Sequence, residues 1–319
     1  SIKAGDKALV VLANTPFYGE SGGQIGDTGR ITGDGFAMEV TDTQKTKGGL
    51  FLHSVKVTEG SAKVGAKAFA KIDDLRRDDI RRNHSATHLL HAALRQVLGT
   101  HVHQAGSLVA PDRLRFDFSH YQAMTQEEIA KVERIVNEKI LEAIPVVTEE
   151  KPLKEAKEEG VMGLFESKYG EIVRVLKMGK FSMELCGGTH VKNTSEIGLF
   201  KIVVETGTAA GVRRIEAITG HAAYQYVLDN EKLIEDIAGK LKSNHGDILQ
   251  KTEDLLGENR ELKKEIESLK AELLAGAAGD LESKIVDYQG HRLLAATFED
   301  VDANELRSCL LYTSDAADD

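Results

Sequence analysis

The sequence predicts an α+β chain: a small β-barrel, then a domain of helices laid on a mainly antiparallel sheet, then a C-terminal helical coiled-coil segment. Three observations carry this reading. Residues 1–75 are rich in Gly, Thr and Val in short alternating runs bounded by Gly and Asp turns. Past Asp73, helix-period segments alternate with strand-period ones. From about residue 221, apolar residues recur in steps of four and three, the signature of a heptad seam.

In chain order, 8–12, 30–32, 36–40, 50–57 and 66–72 read as the strands of the barrel. Residues 78–98 read as one helix stopped by Gly99. Residues 102–118 return to strand, broken at Pro111-Asp112. A second amphipathic helix follows over 125–141, with Thr125 and Glu128 spaced as a capping box. Residues 151–159 suggest a short helix, and 171–177, 181–185, 199–205 and 213–218 suggest strands. The seam then runs through Ile234, Ala238, Leu241, Leu255, Leu262, Ile266, Leu269 and Leu273, and its expected form is a coiled coil or helical hairpin. The predicted boundaries are 1–75, 76–220, 221–275 and a truncated further module over 276–306. Residues 307–319 show neither period nor cap logic and are expected to be a non-native tail. With no starting Met, the chain is expected to be a fragment.

Composition narrows the function classes. With 41% hydrophobic and 29% charged residues, the chain can build cores and is not disordered. No apolar run is long enough to span a bilayer and no signal-peptide pattern opens the chain. Two cysteines, Cys186 and Cys309, make no disulfide framework, which fits a reducing cytoplasm. The net charge of -10 argues against nucleic-acid binding by bulk charge. Local basic groups remain, however: Arg76, Arg77, Arg81 and Arg82, and the pair Arg213 and Arg214.

Two motifs carry chemistry. His84-Ser85-Ala86-Thr87-His88 lies in the predicted helix, where residues four apart share a face. Cys186-Gly187-Gly188-Thr189-His190 follows a predicted strand, and its glycines allow a turn that brings both end residues to one point. Three imidazoles and a thiolate form a standard zinc set, so His84, His88, Cys186 and His190 are the candidate ligands. A metalloprotease needs Glu after the first His, and here Ser85 stands there. His91 shares the helix face and reads as a packed or capping histidine, while His101 and His103 are alternative ligands. Four protein ligands would close the site: either one yields to substrate, or the ion shapes the pocket. No carboxylate lies inside either motif; Glu184 is near, and reads equally well as a solvated residue. Gly22-Gly23 reads as a strand turn or as a loop whose bare backbone admits phosphates.

These residues resemble a known family. The run Arg81-Arg82-Asn83-His84-Ser85-Ala86-Thr87-His88-Leu89-Leu90-His91 is similar to the start of the editing domain of alanyl-tRNA synthetases. Cys186-Gly187-Gly188-Thr189-His190 resembles the second half of its metal site. The stretch from Asn14 to Gln24 with Gly26-Asp27-Thr28-Gly29 resembles the glycine-rich motif of the preceding barrel, and Gly211 to Ala217 is also similar. The segments follow the family order over roughly 1–306.

The resemblance implies hydrolysis of seryl- or glycyl-tRNA(Ala) at one zinc ion. A pocket that holds a methyl rejects hydrogen or one added hydroxyl only weakly, so such enzymes add a second, hydrolytic site. It further implies an editing role for Gln104, and Thr87 is a candidate sensor of the serine hydroxyl. Gly22, Gly23, Gln24, Arg213 and Arg214 are candidate contacts to the tRNA acceptor end. ATP and Mg2+ would belong to an aminoacylation domain outside this sequence, in a parent that charges tRNA(Ala) with alanine. The helical region is a candidate homodimer contact. Two alternatives stay open: the editing domain of threonyl-tRNA synthetase or a free-standing deacylase, and a zinc-stabilised coiled-coil binding protein.

Overall fold

A computed structural model describes residues 1–163, 170–279 and 284–295. The expected module over 276–306 is thus described only in part, and the expected tail over 307–319 lies outside the described residues. The chain divides into two compact units, Ser1–Asp229 and Asn230–Asp319. The fold is α+β, with antiparallel sheets and several helices.

The first unit opens with six strands: β1 (Ile2–Lys3), β2 (Lys7–Val10), β3 (Gly29–Gly33), β4 (Phe36–Lys45), β5 (Phe51–Ala62) and β6 (Ala68–Ile72). They pair antiparallel in the order β1-β5-β4-β3-β6, with β2 also on β5. Alternation builds the core: Phe36, Met38 and Val40 of β4 turn inward with Val55 and Val57 of β5, Ile31 and Phe17. Between β2 and β3 the chain runs through the glycine-rich stretch, which bears directly on the site.

Helix α1 spans Asp74–Leu98. It begins four residues before the predicted start because the Asp73 carboxylate accepts from the Arg76 amide at 3.1 Å, an N-cap. Strands β7 (Gln104–Val109) and β8 (Leu114–Ser119) follow, then α2 (Gln126–Leu141), whose Thr125–Glu128 capping box forms as predicted. Next come β9 (Val146–Pro152), α3 (Leu153–Glu158), β10 (Ile172–Met178), β11 (Ser182–Leu185), β12 (Phe200–Ala209) and β13 (Val212–Thr219). Two more antiparallel sheets result, ordered β12-β13-β8-β7 and β11-β10-β9. Leu89, Leu90 and Leu94 of α1 and Val132, Val136 and Ile140 of α2 share one core with Phe116, Phe118, Phe200 and Ile215 of the four-stranded sheet. Strand β9 was not predicted. Its Thr148-Glu149-Glu150-Lys151 run has no apolar alternation, and its place is set by pairing with β10 along its whole length.

Helix α4 (Gly220–Leu241) follows β13 directly, and the chain passes from the first unit to the second within it. A 3-10 turn capped by Asn244 separates it from α5 (Ile248–Gly279), so Gly246 marks the break while Gly239 and Gly257 stay helical. The predicted seam residues Ile234, Leu255, Leu262, Ile266, Leu269 and Leu273 are exposed, whereas Ala238 is buried. A hairpin of β14 (Val286–Tyr288) and β15 (His291–Leu293) ends the described chain. No described helix is long and apolar enough to cross a membrane.

Candidate metal centre

Helix α1 is buried on its polar face as well as its apolar one. His84 and His88, one turn apart, stack with ring centroids 5.3 Å apart. The loop after β11 brings Cys186 and His190 to them. Cys186 Sγ lies 3.4 Å from His84 Nε2 and 3.3 Å from His190 Nε2. The four candidate ligand atoms all lie within 4.8 Å of one another. Zinc–sulfur and zinc–nitrogen bonds of about 2.3 and 2.0–2.1 Å, set tetrahedrally, separate S from N by about 3.5 Å. Cys186 Sγ therefore stands at ligation spacing from both His84 and His190, and His88 Nε2 is buried beside them with no hydrogen-bond partner. The donor set and this orphaned nitrogen both fit a metal ion.

Each imidazole is held from behind through its other nitrogen. His84 Nδ1 meets Gln24 Oε1 at 2.8 Å, His88 Nδ1 meets Glu184 Oε2 at 2.9 Å, and His190 Nδ1 meets Ser85 Oγ at 3.2 Å. Such partners orient a ligand and settle its tautomer. Glu184 is fully buried and also takes His91 Nδ1 at 3.2 Å and Ser182 Oγ at 3.3 Å. Burial alone would raise its pKa. The His88 charge and the hydrogen bonds from His88 and His91 outweigh that and hold it at about 2. Glu184 is thus a buried carboxylate, not a solvated one, and His91 is a buried partner of it rather than a cap. Burial likewise pushes the Cys186 thiol up, but His84 and His88 beside it and hydrogen bonds from His190 and His84 bring it well below its ordinary value. The thiolate is the ligating form. Burial is the largest cause that depresses His190 to about 3, favouring the neutral imidazole that ligates.

The backbone of the loop is equally constrained. A Cβ at Gly188 would lie 2.0 Å from His84 Cε1, so only glycine fits. Arg174 Nη1 donates to the carbonyls of Cys186 and Gly188 at 2.9 and 2.7 Å. The glycine-rich stretch reaches the same place from the N-terminal sheet. Gly22 and Gly23, at φ +60 and +87, make a tight turn closed by reciprocal Ser21–Gln24 backbone bonds. The chain then runs beside β7, with Val109 N donating to Gly23 O at 2.7 Å. Asp27 pairs with Arg77 of α1 in a buried ion pair, and Arg76 Nη1 donates to Gly26 O at 2.9 Å.

The other predicted site residues are placed as follows. Thr87 is buried and donates to Asn83 O at 2.8 Å. Gln104 opens β7 opposite Phe118, half-buried. Gly22 is exposed, Gly23 half-buried and Gln24 fully buried. Arg213 forms a bidentate pair with Glu205, at 2.6 and 2.7 Å. Arg214 does the same with Asp117, at 2.7 and 2.8 Å. His101 instead pairs with His120 at the surface, 2.9 Å apart. Sequence reasoning missed the supporting roles of Gln24, Ser85, Glu184 and Arg174. Ser182 and Glu184, two apart on β11, were the available signal, since polar residues at alternate positions of a short strand share one face.

Comparison with known proteins places the chain among relatives. A family model described as "Threonyl and Alanyl tRNA synthetase second additional domain" matches residues 173–216. A second, "tRNA synthetases class II (A)", matches residues 1–76. The chain is 50% identical over 304 residues to an alanine–tRNA ligase of Acetivibrio thermocellus, covering 95% of this chain and 34% of that protein. It is 50% identical over 310 residues to that of Bacillus cytotoxicus, covering 97% and 35% respectively. The Bacillus mycoides enzyme matches at 49% over the same length and shares. The chain thus spans about a third of the length of the curated relatives it matches.

Proposed function

The chain belongs to the alanyl-tRNA synthetase family over the third of its relatives' length that it spans, and we propose that it edits mischarged tRNA. The reaction is hydrolysis of the ester joining serine or glycine to the terminal adenosine of tRNA(Ala), at a zinc ion held by His84, His88, Cys186 and His190. One observation carries this reading: three imidazoles and a cysteine sulfur converge to within 4.8 Å of one another, each imidazole supported through Nδ1. When bound, zinc would polarise the substrate as a Lewis acid if one of the four ligands yields to it, and would otherwise shape and orient the pocket. The mixed nitrogen and sulfur donor set favours zinc over harder ions.

The protein's own residues do the positioning. Glu184 accepts three hydrogen bonds, so it orients His88 and His91 rather than serving as a free base. The substrate's own ribose hydroxyl is then a candidate to assist the attack of water by relaying its proton. Thr87 Oγ1 donates to Asn83 O, so toward a serine hydroxyl it can act only as an acceptor. Gln104 stands on β7, the strand that the glycine-rich turn flanks, and keeps the editing role the family gives it. Arg213 and Arg214 already spend Nε and Nη2 on Glu205 and Asp117, which leaves their charges neutralised and makes the exposed Gly22 turn the better acceptor-end contact. ATP-dependent charging of tRNA(Ala) belongs to the parent protein, and pairing of two copies through the helical region is part of the same reading.

The test is hydrolysis of seryl-tRNA(Ala) by the zinc-loaded chain, with alanyl-tRNA(Ala) as control and His88→Ala alongside. Loss of the serine ester, sparing of the alanine ester and an inactive variant are expected. A folded, zinc-loaded chain that cleaves neither ester does not edit by itself: either it needs the parent's other domains, or it is a binding module with a structural ion.

A further inference from the structure

We propose that Gln24, from the glycine-rich turn of the N-terminal sheet, is a positioning residue for the metal centre. On this view it sets the tautomer of His84 and braces the two halves of the ligand set against each other. The inference rests on the metal reading above.

The carboxamide orientation follows from its partners. The Thr189 backbone N–H lies 2.9 Å from one end, and a backbone amide can only donate, so that end is the oxygen. The same oxygen lies 2.8 Å from His84 Nδ1. The other end, Nε2, donates to Thr189 Oγ1 at 2.9 Å. Both lone pairs of the oxygen are therefore spent on fixed donors, one on each ligand-bearing segment. A neutral imidazole carries a single N–H. With an acceptor facing Nδ1, that proton sits on Nδ1, and Nε2 is left with its lone pair toward Cys186 Sγ, 3.4 Å away.

Gln24 has no freedom to do otherwise. It is fully buried. The turn before it is closed by Ser21, the strand-like segment around it is tied to Val109, and Asp27 beyond it is locked to Arg77. A Cβ at Gly188 would fall 2.9 Å from Gln24 Oε1 and 2.0 Å from His84 Cε1, so the loop backbone closes over the same pair. Supporting partners of this kind change metal affinity without touching the ion.

The experiment uses the full chain and zinc. The zinc dissociation constant is measured by competition with a chromophoric chelator for the parent, Gln24→Leu and Gln24→Glu, with folding checked by thermal unfolding. Gln24→Leu keeps the bulk and removes the acceptor; it is expected to weaken zinc about 10–100-fold, while Gln24→Glu, which keeps an acceptor oxygen, stays within about three-fold of the parent. A residue that merely fills space would tolerate leucine as well as glutamate. Equal affinity of a folded Gln24→Leu and the parent overturns the inference. A second measurement needs no variant: imidazole nitrogen resonances of the zinc-loaded parent should show His84 protonated on Nδ1 and ligated through Nε2. Ligation through Nδ1 overturns the inference even if Gln24→Leu cannot fold. A parent that takes up no zinc defeats the metal reading itself, whereas a parent that binds zinc with a tautomer indifferent to Gln24 defeats only this step.

Discussion

Helices α1 and α5 are both long and both carry apolar residues at helical spacing, yet they end in opposite environments. Of the 25 residues of α1, thirteen are buried, and seven of those are polar: Arg77, Asn83, His84, Ser85, Thr87, His88 and His91. The heptad positions of α5, Leu255, Leu262, Ile266 and Leu269, are all exposed. Periodicity reports which face of a helix is apolar, and tertiary partners decide whether that face is covered. The informative departure is the polar residue that is buried, because each one must be hydrogen-bonded or ligated. In α1 that rule leads directly to the site.

The contrast can be broken or sharpened by experiment. Zinc removal has the largest expected effect. An ion at about 1,000 times its Kd stabilises the state that binds it by about 4 kcal/mol, so chelation should lower amide-exchange protection across α1 and leave α5 unchanged; equal loss in both would erase the difference. Asp27→Ala leaves the Arg77 guanidinium buried without its partner and should cost the first unit about 3–5 kcal/mol in urea unfolding. A cost near zero would mean that the glycine-rich stretch is not anchored through this pair. Leu94→Ala on α1 should cost about 2–5 kcal/mol, against about 0.5 kcal/mol or less for Leu262→Ala on α5. Matching values would show that α5 is covered in solution. The smallest effect is Thr125→Ala, about 1 kcal/mol from loss of the α2 cap, also read by urea unfolding.

Much of this was legible beforehand because it is local. Thr125 and Glu128 announce a cap at fixed spacing, and the His-x-x-x-His and Cys-x-x-x-His pairs need only one helical turn and one loop to present their ligands. What escaped depends on distant chain. Nothing near Gln24 says that it will face a histidine 60 residues away. Nothing in Thr148-Glu149-Glu150-Lys151 says strand until β10 is beside it. Glu184 looks solvated until α1 closes over it with two imidazoles.

Those separations also set an order of events during folding. Cys186 meets His84 across 102 residues, and Gln24 meets Thr189 across 165. Contacts between residues so far apart form only after the intervening chain has been closed into a loop, an entropic cost that precedes any reward. Helix α1 and the N-terminal sheet have no such delay. In a chain growing from its N-terminus, His84 and His88 are therefore in place while their sulfur partner has yet to be synthesised, and the centre is among the last parts of the first unit to close.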